Sequence, residues 1–177
     1  MVVVFLAEGF EEVEALAPVD VMRRAGLTVK LAGVTGEEVA GSHGICVRTD
    51  MAAQDVDASA LEAMVLPGGL PGTHNLEASP AVQSCMDRCV EQGKLVAAIC
   101  AAPGLLGEWG LLQGRRATCY PSAEEKCAGA VLTRGEVCTD GNLVTGRGLG
   151  AAIPFGLALV GHIAGQADSA RIQEAIV

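Results

Sequence analysis

The sequence predicts an α/β protein, a three-layer sandwich around a mainly parallel sheet. Three observations carry this. Apolar runs of strand length alternate with longer segments of helical periodicity. The links between them are short and punctuated by glycine. The run Leu95-Val96-Ala97-Ala98-Ile99 is apolar throughout, as a strand covered on both faces must be. Strand, helix, strand with short links implies right-handed crossovers and parallel pairing. With 177 residues, half of them apolar, the chain suits one domain spanning 1–177 with a sizeable core.

Val2 to Ala7 is the first strand, and Gly9 opens a loop. Glu12 to Ala25 is a helix, with Val13, Leu16, Val19 and Met22 at helical spacing and Gly26 as its stop. Leu27 to Ala32 is the second strand, and Gly36 to Arg48 reads as a small hairpin or edge excursion. Ala63 to Leu66 is a short buried strand ending in Pro67-Gly68-Gly69-Leu70-Pro71-Gly72, whose paired glycines let the backbone approach a ligand closely. Pro80 to Gln92 is a helix capped by Ser79. Gly93 ends it, and the Leu95 strand follows, then a helix with Pro103 in its first turn. After Gly114 the pattern suggests a strand around Ala117-Thr118-Cys119, a helical turn from Ala123 to Cys127 capped by Ser122, and hairpin-like strands near Val131 and Val137. Leu143-Val144-Thr145 leads through Gly146-Arg147-Gly148 to an apolar helix from about Ala151, and a final short helix begins at Asp168.

A net charge of -9, from 12 basic and 21 acidic residues, argues against a nucleic-acid surface or attachment to anionic membranes, and leaves small neutral or electrophilic ligands open. Met1 to Ala7 lacks a basic flank and is too short for a secretory core. With seven cysteines, an odd number, the expectation is a reducing, cytoplasmic setting. Ala151 to Ala167 carries Pro154, His162 and several glycines, which suits a buried helix rather than a membrane span.

Cys100 stands between the Leu95–Ile99 strand and the helix begun by Pro103. A tight turn there offers free backbone N–H groups and the positive end of a helix dipole, conditions that expose a thiol and lower its pKa. The competing reading is an ordinary core cysteine. The Gly9-Phe10-Glu11-Glu12 loop, the Gly68-Gly69 loop, Cys100, the Tyr120 loop and the Gly146-Arg147 loop all follow strand carboxyl ends, where open α/β sheets bind ligands.

Four stretches, in order, resemble the ThiJ/PfpI superfamily, in the branch of the Parkinson disease protein and the protein deglycases. They are Glu11-Glu12-Val13-Glu14 with Pro18-Val19-Asp20-Val21-Met22-Arg23-Arg24-Ala25-Gly26, then Leu66-Pro67-Gly68-Gly69, then Ala97-Ala98-Ile99-Cys100-Ala101, then Arg147-Gly148. The resemblance implies a flavodoxin-like, class I glutamine amidotransferase-like sandwich, a homodimer, and a site pairing Cys100 with Glu14. Some members place a histidine before a proline in the loop beside the cysteine, whereas this chain has Cys119-Tyr120-Pro121. Tyr120 is no neutral-pH base, so a Cys-His triad is not expected, and Asp20, at the family's third position, has no histidine to orient. Tyr120 keeps the capacity to hydrogen-bond a substrate.

Glu14, desolvated against a thiol, should have a raised pKa and move protons, while Glu11 and Glu12 fit a solvated face. The N–H groups of Gly69 and Ala101 suit an oxyanion. Arg147 suits either an anion or an acid across a dimer interface. Of His43, His74 and His162, only His74 lies in the glycine loop near the expected site. Gly146-x-Gly148-x-x-Ala151 fits a dinucleotide fingerprint but lacks a following strand for the ribose-binding acid. Cys85 and Cys89 share a helix face without the spacing of a metal site, and no metal or cofactor is required.

The leading expectation is an enzyme acting on small dicarbonyls such as methylglyoxal, or on glycated adducts. Cys100 attacks the aldehyde and Glu14 relays the proton. The alternatives are a redox-responsive protective or chaperone-like protein and, less favoured, a cysteine peptidase or amidase.

Overall fold

The computed structural model describes residues 1–177. The elements are β1 (Val2–Leu6), α1 (Glu12–Arg24), β2 (Val29–Gly33), β3 (Glu38–Ala40), β4 (Cys46–Arg48), β5 (Met51–Ala52), β6 (Ala63–Leu66), α2 (Gly72–Glu77), α3 (Pro80–Glu91), β7 (Leu95–Ile99), α4 (Pro103–Glu108), β8 (Arg116–Ala117), β9 (Val131–Leu132), β10 (Val137–Asp140), β11 (Leu143–Gly146), α5 (Ala152–Ile163) and α6 (Gln166–Ala175). Seven strands form one sheet in the order β10-β11-β7-β6-β1-β2-β5. Every pairing is parallel except β10 with β11. The strand order reverses at β1, so the loops after β1, β6, β7 and β11 gather at one carboxyl edge.

Every residue of β1, β6 and β7 is buried, because helices cover both faces of the sheet. Alternation along β1 divides its side chains between two cores. Val2, Val4 and Leu6 pack with Met22, Phe155, Leu159 and Ile172 of α1, α5 and α6. Val3 and Phe5 pack with Leu76, Val82, Met86 and Leu105 of α2, α3 and α4. Each such large side chain contributes about 1.5–3 kcal/mol through burial. This is the predicted sandwich of flavodoxin-like arrangement.

Helix α1 departs from the predicted stripe. Its buried residues include Ala15, Pro18, Val19, Val21 and Met22, while Val13 is 45% exposed. The helix is covered by the sheet and also by α5, which widens and rotates its buried face. A Cβ on Gly156 of α5 would lie 3.0 Å from Pro18 Cα, so the two backbones touch closely. Pro18 also has no N–H to give the Glu14 carbonyl, so that helical bond is missing.

The hairpin expected in 36–48 forms, with β3 antiparallel to β4. Four other expectations change. The strand placed around Ala117–Cys119 is instead β8, and Thr118 N–H turns to the Thr145 hydroxyl at 2.9 Å. The turn after Tyr120 is a 3-10 segment, Pro121–Lys126, that starts without a side-chain cap, so Ser122 lies inside it. Val131 and Val137 do not share a hairpin, since β9 pairs in parallel with β8 in a separate ribbon and β10 joins the main sheet. Runs this short carry too little pattern to select a partner. The last helix starts at Gln166 rather than Asp168. No helix is long and apolar enough to cross a membrane.

Candidate active site

Cys100 adopts φ 66°, a left-handed conformation unusual for a side chain of any bulk. Two hydrogen bonds hold it there. Its N–H donates to Gly146 O at 3.0 Å, and its carbonyl accepts Tyr120 N–H at 2.8 Å. Strain of this kind, about 1–3 kcal/mol, persists only where the surroundings over-determine it. The turn leaves the thiol half-buried between β7 and α4, with Ala101 N–H bonded to its sulfur.

Glu14 comes to this thiol from α1. Its N–H donates to the Glu11 carboxylate at 2.7 Å, so Glu11 caps the helix and fixes the first turn. The Glu14 side chain is 1% exposed, accepts Gly68 N–H at 3.1 Å and shares a hydrogen bond with the Cys100 thiol. Gly68 is the contact that makes this possible. A Cβ there would collide with Glu14 Oε2 and would lie 2.6 Å from Cys100 Cβ. Sequence alone points to Gly69 as the site glycine and misses this role of Gly68, although the Pro-Gly-Gly run is its visible signal.

Gly69, at φ +97°, sits against the backbone of Gly9 and Phe10 with no room for a Cβ, and its N–H makes no hydrogen bond within the chain. With Ala101 it frames the edge beside the sulfur where an oxyanion is expected. The Tyr120 ring lies against Gly148, where a Cβ would meet it at 3.3 Å and Glu14 Oε1 at 3.9 Å. Thus the five loops predicted to converge do so.

The electrostatics correct one expectation. Burial, reinforced by the Glu14 charge, pushes the Cys100 thiol up to about 12, against the pull of Ala101 N–H. A lowered value was expected from the helix start, but α4 has only six residues and no side-chain cap. Its field does not outweigh a desolvated sulfur facing a carboxylate. Burial likewise pushes Glu14 up to about 7, with the Glu11 charge adding to the rise and the bonds from Cys100 and Gly68 opposing it. Near neutral pH, therefore, a neutral thiol faces a carboxyl close to its midpoint, and Glu14 receives the thiol proton only as sulfur bonds to an electrophile.

Glu11 and Glu12 are not a solvated face, being 8% and 3% exposed. Glu12 clamps the β3–β4 turn, accepting His43 N–H at 2.7 Å, Ile45 N–H at 3.4 Å and the His43 ring at 2.9 Å. Burial alone would raise its pKa, but these bonds outweigh it and hold Glu12 at about 2. Donor atoms of Glu11, Glu12 and His43 lie within 4.8 Å of one another, the arrangement closest to a metal set. Glu12's oxygens are already engaged by the turn, which makes the group a structural clamp.

The remaining predicted residues divide. Asp20 pairs with Arg24 at 2.6 Å on the exposed side of α1 and makes no contact with Cys100. His74 is exposed on α2 and its ring makes no hydrogen bond. Arg147 gives its N–H to Glu136 O at 2.8 Å. It lines a cavity of about 440 Å³ with Tyr120, Glu136 and Gly148, next to the thiol–carboxyl pair. A larger cavity, about 820 Å³ around Gly33, Asn75 and Pro80, reaches neither Cys100 nor Glu14. Cys85 and Cys89 are core residues. Gly146 serves packing, since a Cβ would lie 2.8 Å from Ile99.

The fold and site together define a flavodoxin-like α/β protein with a thiol–carboxyl pair at the carboxyl edge of its sheet. The chain belongs to the DJ-1/PfpI family, whose model matches residues 1–162. It is 38% identical to protein DJ-1 homolog B of Arabidopsis thaliana over 99% of this chain and 41% of that protein, and thus spans less than half of that relative. It is 36% identical to the Parkinson disease protein 7 homolog of Danio rerio over 98% of this chain and 95% of that one. A deglycase of Thermococcus kodakarensis is 33% identical over 82% of this chain and 89% of its own. Among solved structures, oxidized Toxoplasma gondii DJ-1 superposes with a TM-score of 0.95 at 34% identity, covering 99% of this chain and 96% of that one.

Proposed function

We propose that this protein is a cofactor-free, Cys100-dependent enzyme of the glyoxalase or deglycase type, acting on methylglyoxal-like dicarbonyls or their adducts. The observation that carries the reading is the buried Glu14 carboxyl, pushed up to about 7 and hydrogen-bonded to the Cys100 thiol. Glu14 takes the thiol proton as sulfur attacks the aldehyde carbon, and the oxygen that gains charge lies toward Gly69 and Ala101 N–H. Glu14 returns that proton to the oxygen, which completes a hemithioacetal and leaves the carboxylate free to act again. Glu14 then moves a proton from the aldehyde carbon to the neighbouring carbonyl carbon, oxidising the first and reducing the second, to leave a thioester. Water releases the hydroxy acid, so methylglyoxal plus water gives lactate with no external oxidant. The archaeal relatives named deglycases support this class of chemistry. Cys100→Ala should abolish methylglyoxal turnover, and retention of the parent rate would sink the proposal.

A redox-responsive protective role is the second reading, favoured by the same pair, because a protonated Glu14 would donate to an oxidised Cys100. Mild peroxide should then add two oxygens to Cys100 before any other cysteine, exposed Cys46 included, gains two. Val13 and Ile45, 45% and 55% exposed, flank buried Glu12 and offer an apolar surface for a homodimer. A monomeric mass in solution at micromolar concentration would exclude that assembly.

A further inference from the structure

Outside the Glu14–Cys100 pair, Cys119 and Cys127 are a second place where two nucleophilic side chains meet. They flank the 3-10 segment Pro121–Lys126, are 1% and 3% exposed, and belong to one apolar cluster. The turn brings them together, with Ala123 N–H on Tyr120 O at 2.9 Å and Cys127 N–H on Glu124 O at 3.1 Å, and their thiols hydrogen-bond one another. Both are anchored. A Cβ on Gly107 of α4 would lie 2.8 Å from Cys127 Cα, and the residues on either side of Cys119 are tied to Thr145 and to Cys100.

A second feature points to the pair. Arg147 Nη1 is buried and has no hydrogen-bond partner, and Arg147 makes no ion pair. The hydrogen bond to Cys127, burial and nearby Glu124, itself paired with Arg134 at 2.9 Å, push the Cys119 thiol above its ordinary value and outweigh the Arg147 charge, so Cys119 keeps its proton. Cys127, accepting the Cys119 S–H, is held below the ordinary thiol value and is the nucleophile of the two.

We propose that Cys119 and Cys127 form a redox-active dithiol, distinct from Cys100, that closes to an intramolecular disulfide under peroxide. The Cys127 thiolate attacks one peroxide oxygen, the O–O bond breaks, and the leaving oxygen departs as water after taking a proton. Cys119 sulfur then displaces a second water from the Cys127 sulfenic acid. The two cysteines lose two electrons and the peroxide is reduced to two waters. Bond formation requires the sulfurs to move from hydrogen-bond separation to about 2.0 Å. Because Tyr120 follows Cys119 and holds the Cys100 carbonyl, closure tightens the segment lying across the elbow.

Trypsin cuts after Arg116, Lys126 and Arg134, so the two thiols fall on separate peptides, Ala117–Lys126 and Cys127–Arg134. After the intact protein is treated with stoichiometric hydrogen peroxide, blocked with iodoacetamide and digested without reductant, mass spectrometry should find these peptides joined, lighter by two hydrogens than their sum, and separated by dithiothreitol. Cys100→Ser should form the same link. Recovery of both peptides free and alkylated while peroxide has oxidised Cys100 overturns the proposal, as does a link from either cysteine to Cys100. The peptide map of the unaltered chain decides the matter even where Cys119→Ser or Cys127→Ser fails to fold.

Discussion

Replacing Glu14 by Gln should stabilise the protein at alkaline pH while removing its activity. The reason lies in what burial does to the carboxyl. In the unfolded chain Glu14 ionises near 4.5, and in the fold near 7. The raised value means that the native state holds its proton longer, so the stability tied to this group is intact below pH 4.5. It falls as pH rises to 7 and changes little beyond. At about 1.4 kcal/mol for each pH unit between the two values, the loss is about 3 kcal/mol. Solvent screening is small for a side chain 1% exposed. Gln keeps an oxygen to accept Gly68 N–H and an NH₂ to face the Cys100 sulfur, but it has no charge to desolvate. Urea unfolding at pH 5 and pH 8 should therefore give the Glu14→Gln variant a stability near that of the parent at pH 5, and about 3 kcal/mol above it at pH 8. That gain corresponds to a melting temperature roughly 8 °C higher. An equal difference at the two pH values, or a variant less stable at pH 8, refutes the picture of a carboxylate held at energetic cost for chemistry.

Gly68→Ala should lose most turnover and about 1–3 kcal/mol of stability, since its methyl group must displace Glu14 or Cys100; kinetics beside denaturant unfolding checks both. Tyr120→His would set an imidazole beside the elbow, and iodoacetamide should then alkylate Cys100 several-fold faster at pH 7, the rate being followed by peptide mass. Glu12→Ala frees the His43 and Ile45 N–H groups and should cost about 1–3 kcal/mol at neutral pH. Because Glu12 is held at about 2, its contribution is present above pH 4.5 and disappears as pH falls through 2. The variant's deficit should narrow over that acid range in thermal melts.

Much of the fold was legible because burial on both faces leaves a continuous apolar trace. Leu95–Ile99, Ala63–Leu66 and Val2–Leu6 declare themselves as central strands, and the glycines after them mark the edge where chemistry gathers. Cys100 and Glu14 were likewise nameable from motif and position. The short ribbons were not. Arg116–Ala117 and Val131–Leu132 are two residues each, and nothing local says that they pair with each other rather than with Val137.

The sequence by itself determined a parallel sheet with helices on both faces, and a thiol at the turn after its central strand. Those properties follow from hydrophobic period and from residues such as Pro103 and Gly93 that permit few backbone conformations. Tertiary structure alone decided the electrostatics. Glu11, Glu12 and Glu14 are neighbours in the chain, yet one caps a helix, one clamps a turn and one faces a sulfur. Whether a carboxyl or thiol rises or falls in pKa depends on what lies within a few ångströms of it, and groups 54 and 86 residues away, Gly68 and Cys100, supply that for Glu14.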